Sequence, residues 1–305
     1  MMQNQKAAQR VKRNQKRWQD SLAPYLFIAP FIISFLALFL GPALYSLILS
    51  FFRYKGYGTA TFIGLANYQT TLDYHVFWTM LSNTLFYWLA HVIPLMLIAF
   101  LLATLVRSKL VKAKSFFKPL IFLPNIVAVV AISLIFQNFF GTQYGVINTL
   151  LGTHIPWLQD YTLAKGVVVV MLVWRNVGFW FVVFLAGLTS INPEIEEAAR
   201  VDGANTWQQL IHVTIPLMRN IFLFAIVIDA IGSFQLFTEP NVLMGRSGSL
   251  APVETAPLLN LLVTNLRSGN FGQASAVGWI LFILIGAASF VQFRLFRDNS
   301  RRDQP

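Results

Sequence analysis

The chain has 305 residues, of which 56% are hydrophobic and 11% charged, and its mean hydropathy is +0.60. A soluble domain carries roughly 25% charged residues, so this composition excludes a water-exposed globule and makes lipid the expected solvent. Cysteine is absent, which removes disulfides and thiolate metal sites, and the net charge of +11 raises the question of nucleic acid as a partner.

In chain order, residues 1–23 form a basic tail with Lys6, Arg10, Lys12, Arg13, Lys16 and Arg17. The apolar run after it is too long for the core of a cleavable leader, and no small-residue cleavage site is evident, so a cytoplasmic tail is expected. Residues 24–295 are expected to form one transmembrane domain, and 296–305 a second cytoplasmic tail. A helix needs about 20 apolar residues to cross a bilayer. The stretches that qualify are 24–52, 80–106, 116–136, 167–190, 221–237 and 274–293, the fifth being short and in need of residues borrowed at its ends. Gly41-Pro42 predicts a kink in the first, because proline lacks the amide that a helix interior needs. Barrel strands are excluded, since these runs lack their alternation.

Charge then orients the spans. Arg107, Lys109, Lys112, Lys114 and Lys118 fill the second connection, and Arg294, Arg297, Arg301 and Arg302 follow the last span. The opposite side carries only Arg53, Lys55, Lys165, Arg246 and Arg267. Positive loops stay in the cytoplasm, so both termini are expected inside and the segments 139–163 and 240–270 outside. Most of the positive excess is thereby topogenic, and no nucleic-acid fold fits between the spans. The histidines His75, His91, His154 and His212 are scattered without metal-ligand spacing, and are expected to be isolated polar or interfacial residues.

Between the fourth and fifth spans lies a compact polar loop, 191–220. Asn192-Pro193 suits a helix start, and Glu194, Glu196 and Glu197 follow where the helix dipole favours negative charge. Ala198 and Ala199 are good helix formers of little bulk. Gly203 supplies a left-handed turn. Asn205 or Thr206 caps a second short helix, whose apolar face is Trp207, Leu210 and Ile211. Pro216 is expected to stop that helix before the fifth span. By physical chemistry alone, this could also be an amphipathic hairpin packed on its own bundle.

The loop closely resembles the EAA loop of permease subunits of bacterial ABC importers. Glu197-Ala198-Ala199, Asp202-Gly203-Ala204, Trp207 and Ile215-Pro216 occupy its fixed positions. The resemblance extends over residues 24 to 295 and is to the carbohydrate-uptake branch. It is carried by Phe27-Ile28-Ala29-Pro30, Pro42-Ala43-Leu44-Tyr45-Ser46, Phe62-Ile63-Gly64-Leu65-Ala66-Asn67-Tyr68, Asn83-Thr84-Leu85, Phe122-Leu123-Pro124, Leu185-Ala186-Gly187-Leu188 and Ser233-Phe234-Gln235-Leu236-Phe237. After the fifth span the family often has T-x-G-G-P. Here the stretch is Met244-Gly245-Arg246-Ser247-Gly248, so the outer loop is expected to differ in shape.

The resemblance implies an all-α, six-span, type I importer permease fold in a bacterial or archaeal plasma membrane. It implies partners: a second related permease, an ABC ATPase dimer that contacts the 194–216 segment, an extracytoplasmic sugar-binding protein, and a sugar, as an oligosaccharide or glycoside. ATP and Mg would belong to the partner ATPase, with no cofactor and no metal in this chain. No phosphate-binding G-x-x-x-x-G-K-[ST] sequence, G-x-S-x-G or H-E-x-x-H occurs, so the chain is expected to be no enzyme. An importer for another solute, or a channel working without ATP, remain as alternatives.

Two charges stand well inside the expected spans: Arg175 in the fourth and Asp229 in the fifth. Intramembrane charges face a cavity or one another. They are expected either to pair structurally or to line the substrate path. Asn176 and Trp180 beside Arg175, and Gly232, Ser233 and Gln235 beside Asp229, favour the path, because sugars want polar side chains for hydroxyls and aromatic rings for apolar faces. Asp229, Gly232 and Ser233 share one helix face. The family resemblance points to the same parts of these two spans.

Overall fold

A computed structural model describes residues 24–108, 111–245 and 249–298. The tails 1–23 and 299–305, Lys109 and the Arg246-Ser247-Gly248 part of the divergent outer loop lie outside the described residues.

Helix α1, Pro24–Leu49, precedes a two-residue hairpin, β1 Phe52–Arg53 and β2 Thr61–Phe62, paired antiparallel with Phe52 opposite Phe62. Then come α2 Ala66–Asp73, α3 His75–Arg107, α4 Lys114–Ile126, α5 Val129–Phe139, α6 Val146–Leu151 and α7 Tyr161–Thr189. They are followed by α8 Pro193–Val201, α9 Thr206–Leu217, α10 Arg219–Phe234, α11 Thr238–Met244, α12 Leu259–Arg267 and α13 Phe271–Asp298. Helices α1, α3, α7 and α13 are each long and apolar enough to cross a membrane.

Two of the expected spans are bent pairs rather than straight rods. The third is α4 and α5, which meet at 92°. Pro119 and Pro124 remove two amides from α4, and Val127 and Ala128 are extended. The fifth is α9 and α10, which meet at 65°. Helix α10 ends at Phe234, so Gln235, Leu236 and Phe237, expected inside the span, lie beyond it.

At two prolines the preceding helix widens. Before Pro42 it forms a π turn at Leu36–Leu40, in which the Gly41 amide reaches back to the Leu36 carbonyl. The same device recurs at Leu210–Thr214, where the Ile215 amide reaches the Leu210 carbonyl just before Pro216. The helix then ends at Leu217, one residue past Pro216 and before the fifth span, as expected. Widening relieves the clash of the ring with the preceding turn, and the chain stays helical to Leu217.

The bundle is built on α3 packed against α7. Toward the N-terminal ends of these two helices, Phe77, Met80, Tyr87, Val168 and Met171 pack with Ile132 of α5 and with Leu243, Leu258 and Leu261. Toward their C-terminal ends, Leu95, Ala99, Phe100, Phe181 and Phe184 pack with Met218 and Ala225. Gly178 lets α4 touch α7, since a Cβ there would collide with the backbone of Ile121 and Phe122. Several motif residues have structural work. Asn67 Nδ2 donates to the carbonyls of Ser50 and Phe52, fixing the β1–β2 hairpin. Asn83 Nδ2 donates to the Val253 and Ala256 carbonyls, and Tyr87 Oη to Thr255 O, seating the 251–258 segment on α3.

Candidate functional site

A polar cavity of about 280 Å³ opens where α3, α7 and α10 converge. Arg175, Asn176 and Trp180 line it from α7, Asp229, Gly232 and Ser233 from α10, and Gln235 from the turn that follows. Every residue proposed from sequence for the substrate path thus lines this one cavity. Trp174, by contrast, points elsewhere, its ring 5.8 Å from that of Phe136.

The charges pair differently from expectation. Arg175 and Asp229 do not pair with each other. The Arg175 guanidinium donates to Glu239 Oε1 at 3.0 Å, from a buried carboxylate at the start of α11. Asp229 faces His91 of α3, whose Nε2 lies 3.3 Å from Oδ1 and 3.1 Å from Oδ2. The physical reason is placement. α11 packs on α5 and α7 and brings an acid to α7, while α3 supplies a buried base to α10. His91 is thus neither isolated nor interfacial. Its identity as a polar residue near the middle of an apolar span was the available signal. Glu239 escaped because it stands just past the expected end of the fifth span. Tyr87 and Phe179 complete the polar and aromatic lining.

The His91 geometry also counts protons. Nδ1 lies 2.7 Å from the Tyr87 carbonyl, which only accepts, so Nδ1 carries a hydrogen. Nε2 then meets a carboxylate, which requires one more proton between them, on the imidazole or on Asp229. Counted together, His91 with Asp229 and Arg175 with Glu239 leave the wall with no net charge. Ser233 Oγ donates to the Asp229 carbonyl at 2.7 Å, so its lone pairs, rather than its proton, remain for another group.

The second element is the hairpin of α8 and α9. Asn192 accepts from the Glu194 amide and Pro193 takes the first helical position, as the sequence predicts. Gly203 sits at φ +84° and its amide meets the Arg200 carbonyl. Asn205 caps α9 and exchanges hydrogen bonds with Gln208 in a reciprocal box. Leu210 packs into the bundle, whereas Trp207 is 69% exposed and Ile211 also faces outward. Glu197, Ala198, Asp202, Gly203, Ile215 and Pro216 are exposed, while Ala199 and Ala204 are partly covered. Val201 is 87% exposed. At its root, Met218 is fully buried against Gly187, where a Cβ would strike Met218 and Ile221.

Apolar spans around a polar cavity, with an exposed capped hairpin between two of the cavity's walls, mark a multi-pass membrane transport component. The chain belongs to the family of binding-protein-dependent transport system inner membrane components, matched over residues 95–302. It is 33% identical to the arabinooligosaccharides transport system permease protein AraP of Bacillus subtilis, with 92% of each chain covered. It is 31% identical to the lactose transport system permease protein LacF of Rhizobium radiobacter, over 93% of this chain and 97% of that one. Among solved structures it shares the fold of a chain from a bacterial ABC transporter that imports alginate, with a TM-score of 0.80 at 21% identity, covering 94% and 99% of the two chains.

Proposed function

We propose that this chain is a permease subunit of an ABC importer for an uncharged sugar, an oligosaccharide or a glycoside. It forms the translocation path together with a second permease. A cytoplasmic ATPase dimer, which holds ATP and Mg, drives it through the 194–216 segment, and an extracytoplasmic binding protein delivers the sugar. The observation that carries this reading is the exposed hairpin, whose two ends continue directly into α7 and α10, two walls of the cavity. The sugar relatives favour the substrate class, and the neutral cavity wall favours sugars without carboxylate or phosphate. Arg175 already has its carboxylate in Glu239, so an acidic ligand would have to displace it.

In this reading the chain crosses the membrane six times, with α4–α5 as one broken span and α10, entered from the cytoplasmic α9, as the fifth, and both termini are cytoplasmic. Positive residues support that orientation. So does the separation of the hairpin from the 251–258 segment, which sit at opposite ends of α3. Alternating access follows: closure of the ATPase pair shifts the hairpin, and the attached spans reorient the cavity.

The test is reconstitution of the tagged complex in liposomes with its ATPase and binding protein. Uptake of a panel of neutral and acidic oligosaccharides is measured with and without ATP. ATP-dependent uptake of neutral sugars supports the proposal. Uptake that is indifferent to ATP makes the chain a facilitator, and preference for an acidic sugar overturns the neutral substrate class.

A further inference from the structure

The hairpin has a third connection, which is not covalent. Arg107, the last residue of α3, makes a two-pronged ion pair with Glu196 in the first turn of α8, Nη1 to Oε1 at 2.7 Å and Nη2 to Oε2 at 2.9 Å. Both side chains are about three-quarters covered, with 25% and 23% exposure. Lys114 Nζ donates to the Arg107 carbonyl at 2.9 Å, so the first residue of α4 meets the same helix end. The dipoles agree: the cation stands at a C-terminus and the anion at an N-terminus. Planar, doubly bonded pairs of this kind fix orientation as well as distance.

Helix α3 is the cavity wall that the hairpin does not reach through the chain. It carries His91 and Tyr87 at the cavity and stays helical through Pro94 to Arg107, about 24 Å further along its axis. We propose that the Arg107–Glu196 pair is the link that makes α3 move with the hairpin, so that three walls rather than two respond to it. Arg107 and Glu196 are then positioning residues for transport, distinct from the exposed face that meets the ATPase. This inference rests on the coupling role proposed above for the hairpin.

The reconstituted complex tests it with Arg107→Gln, with Glu196→Gln, and with a doubly substituted Arg107→Cys, Glu196→Cys chain joined by a short bis-maleimide. This chain has no other cysteine, so within it the tether can form only at that place; it is formed on the purified chain before the partners are added. A charge swap is the poorer rescue, because it opposes both helix dipoles. Both single variants are expected to keep the ATPase bound and hydrolysing ATP, while sugar taken up per ATP falls about fivefold or more, the lower range of coupling between sites. The tethered chain regains most of that ratio, and the untethered one does not. Single variants that keep the parental ratio overturn the link, as does a tether that fails to restore it. Loss of assembly in the single variants assigns the pair to folding and overturns it too. A parental complex with no ATP-dependent uptake fails earlier, at the functional proposal, and takes the link with it.

Discussion

The cavity wall and the hairpin treat charge and apolar surface in opposite ways. In the wall, Arg175, Glu239, His91 and Asp229 are each matched to a partner inside the fold, and Trp180 is buried. On the hairpin, Glu197 and Arg200 stand 3.9 Å apart with side chains 68% and 61% exposed, and Val201 and Trp207 are open. An exposed pair of that kind contributes little to stability, about 0–1 kcal/mol. A buried pair broken on one side costs far more. The difference separates residues that hold this chain together from residues left free for something else.

The sharpest way to break the comparison is on the hairpin. Gly203→Pro cannot adopt φ +84° and loses the amide bonded to Arg200. Glu197→Lys reverses a charge that the fold leaves exposed. Both variants are expected to insert and extract like the parent while uptake falls to background. Co-purification of the ATPase and uptake are the measurements, and full uptake by both would strip the hairpin of its role.

On the cavity wall the expected loss is in the fold. Asp229→Ala leaves buried His91 without its partner, at a cost of about 3–5 kcal/mol for a buried pair missing one member. Extracted yield and thermal unfolding should fall. Adding His91→Phe should recover yield, whereas adding Arg175→Met should not, because Arg175 answers to Glu239. Equal rescue by the two would mean that the pairs exchange partners.

Smaller again is Trp207→Ala, which removes an exposed ring and touches nothing in the core. Stability should stay within about 0.5 kcal/mol, as for surface substitutions generally, while ATPase affinity drops. Unchanged affinity would place the contact elsewhere on the hairpin. Ser233→Ala should have the mildest effect on uptake, with a stability loss of about 0.5–1.5 kcal/mol for one hydrogen bond. A change in sugar preference without loss of yield would make Ser233 a contact rather than a packing residue.

The hairpin was legible in sequence because its determinants are neighbours: Asn192 before Pro193, Gly203 after the alanines, Asn205 three residues from Gln208. The cavity was half legible. Polarity inside apolar runs picked out Arg175, Asn176, Asp229 and Ser233, and helical spacing put the last two on one face with Gly232. Pairing was not legible, because His91 and Asp229 are 138 residues apart. It also depends on where α11 packs, against α5 and α7. The 92° break between α4 and α5 was missed although Pro119 and Pro124 were in view, since hydropathy averages through a bend. The family membership given by the EAA pattern agrees with the match over 95–302.

The joint at Met218 has a mechanical consequence. Helices α9 and α10 meet at 65°, and the joint itself is buried against α7. A push along the axis of α9 therefore arrives at α10 with its larger component crosswise, not lengthwise. In an engineer's terms this corner is a bell crank borne on α7. Under the proposed coupling, a stroke at the hairpin becomes chiefly a sideways swing of the helix that carries Asp229 and Ser233, with the smaller component left as piston motion.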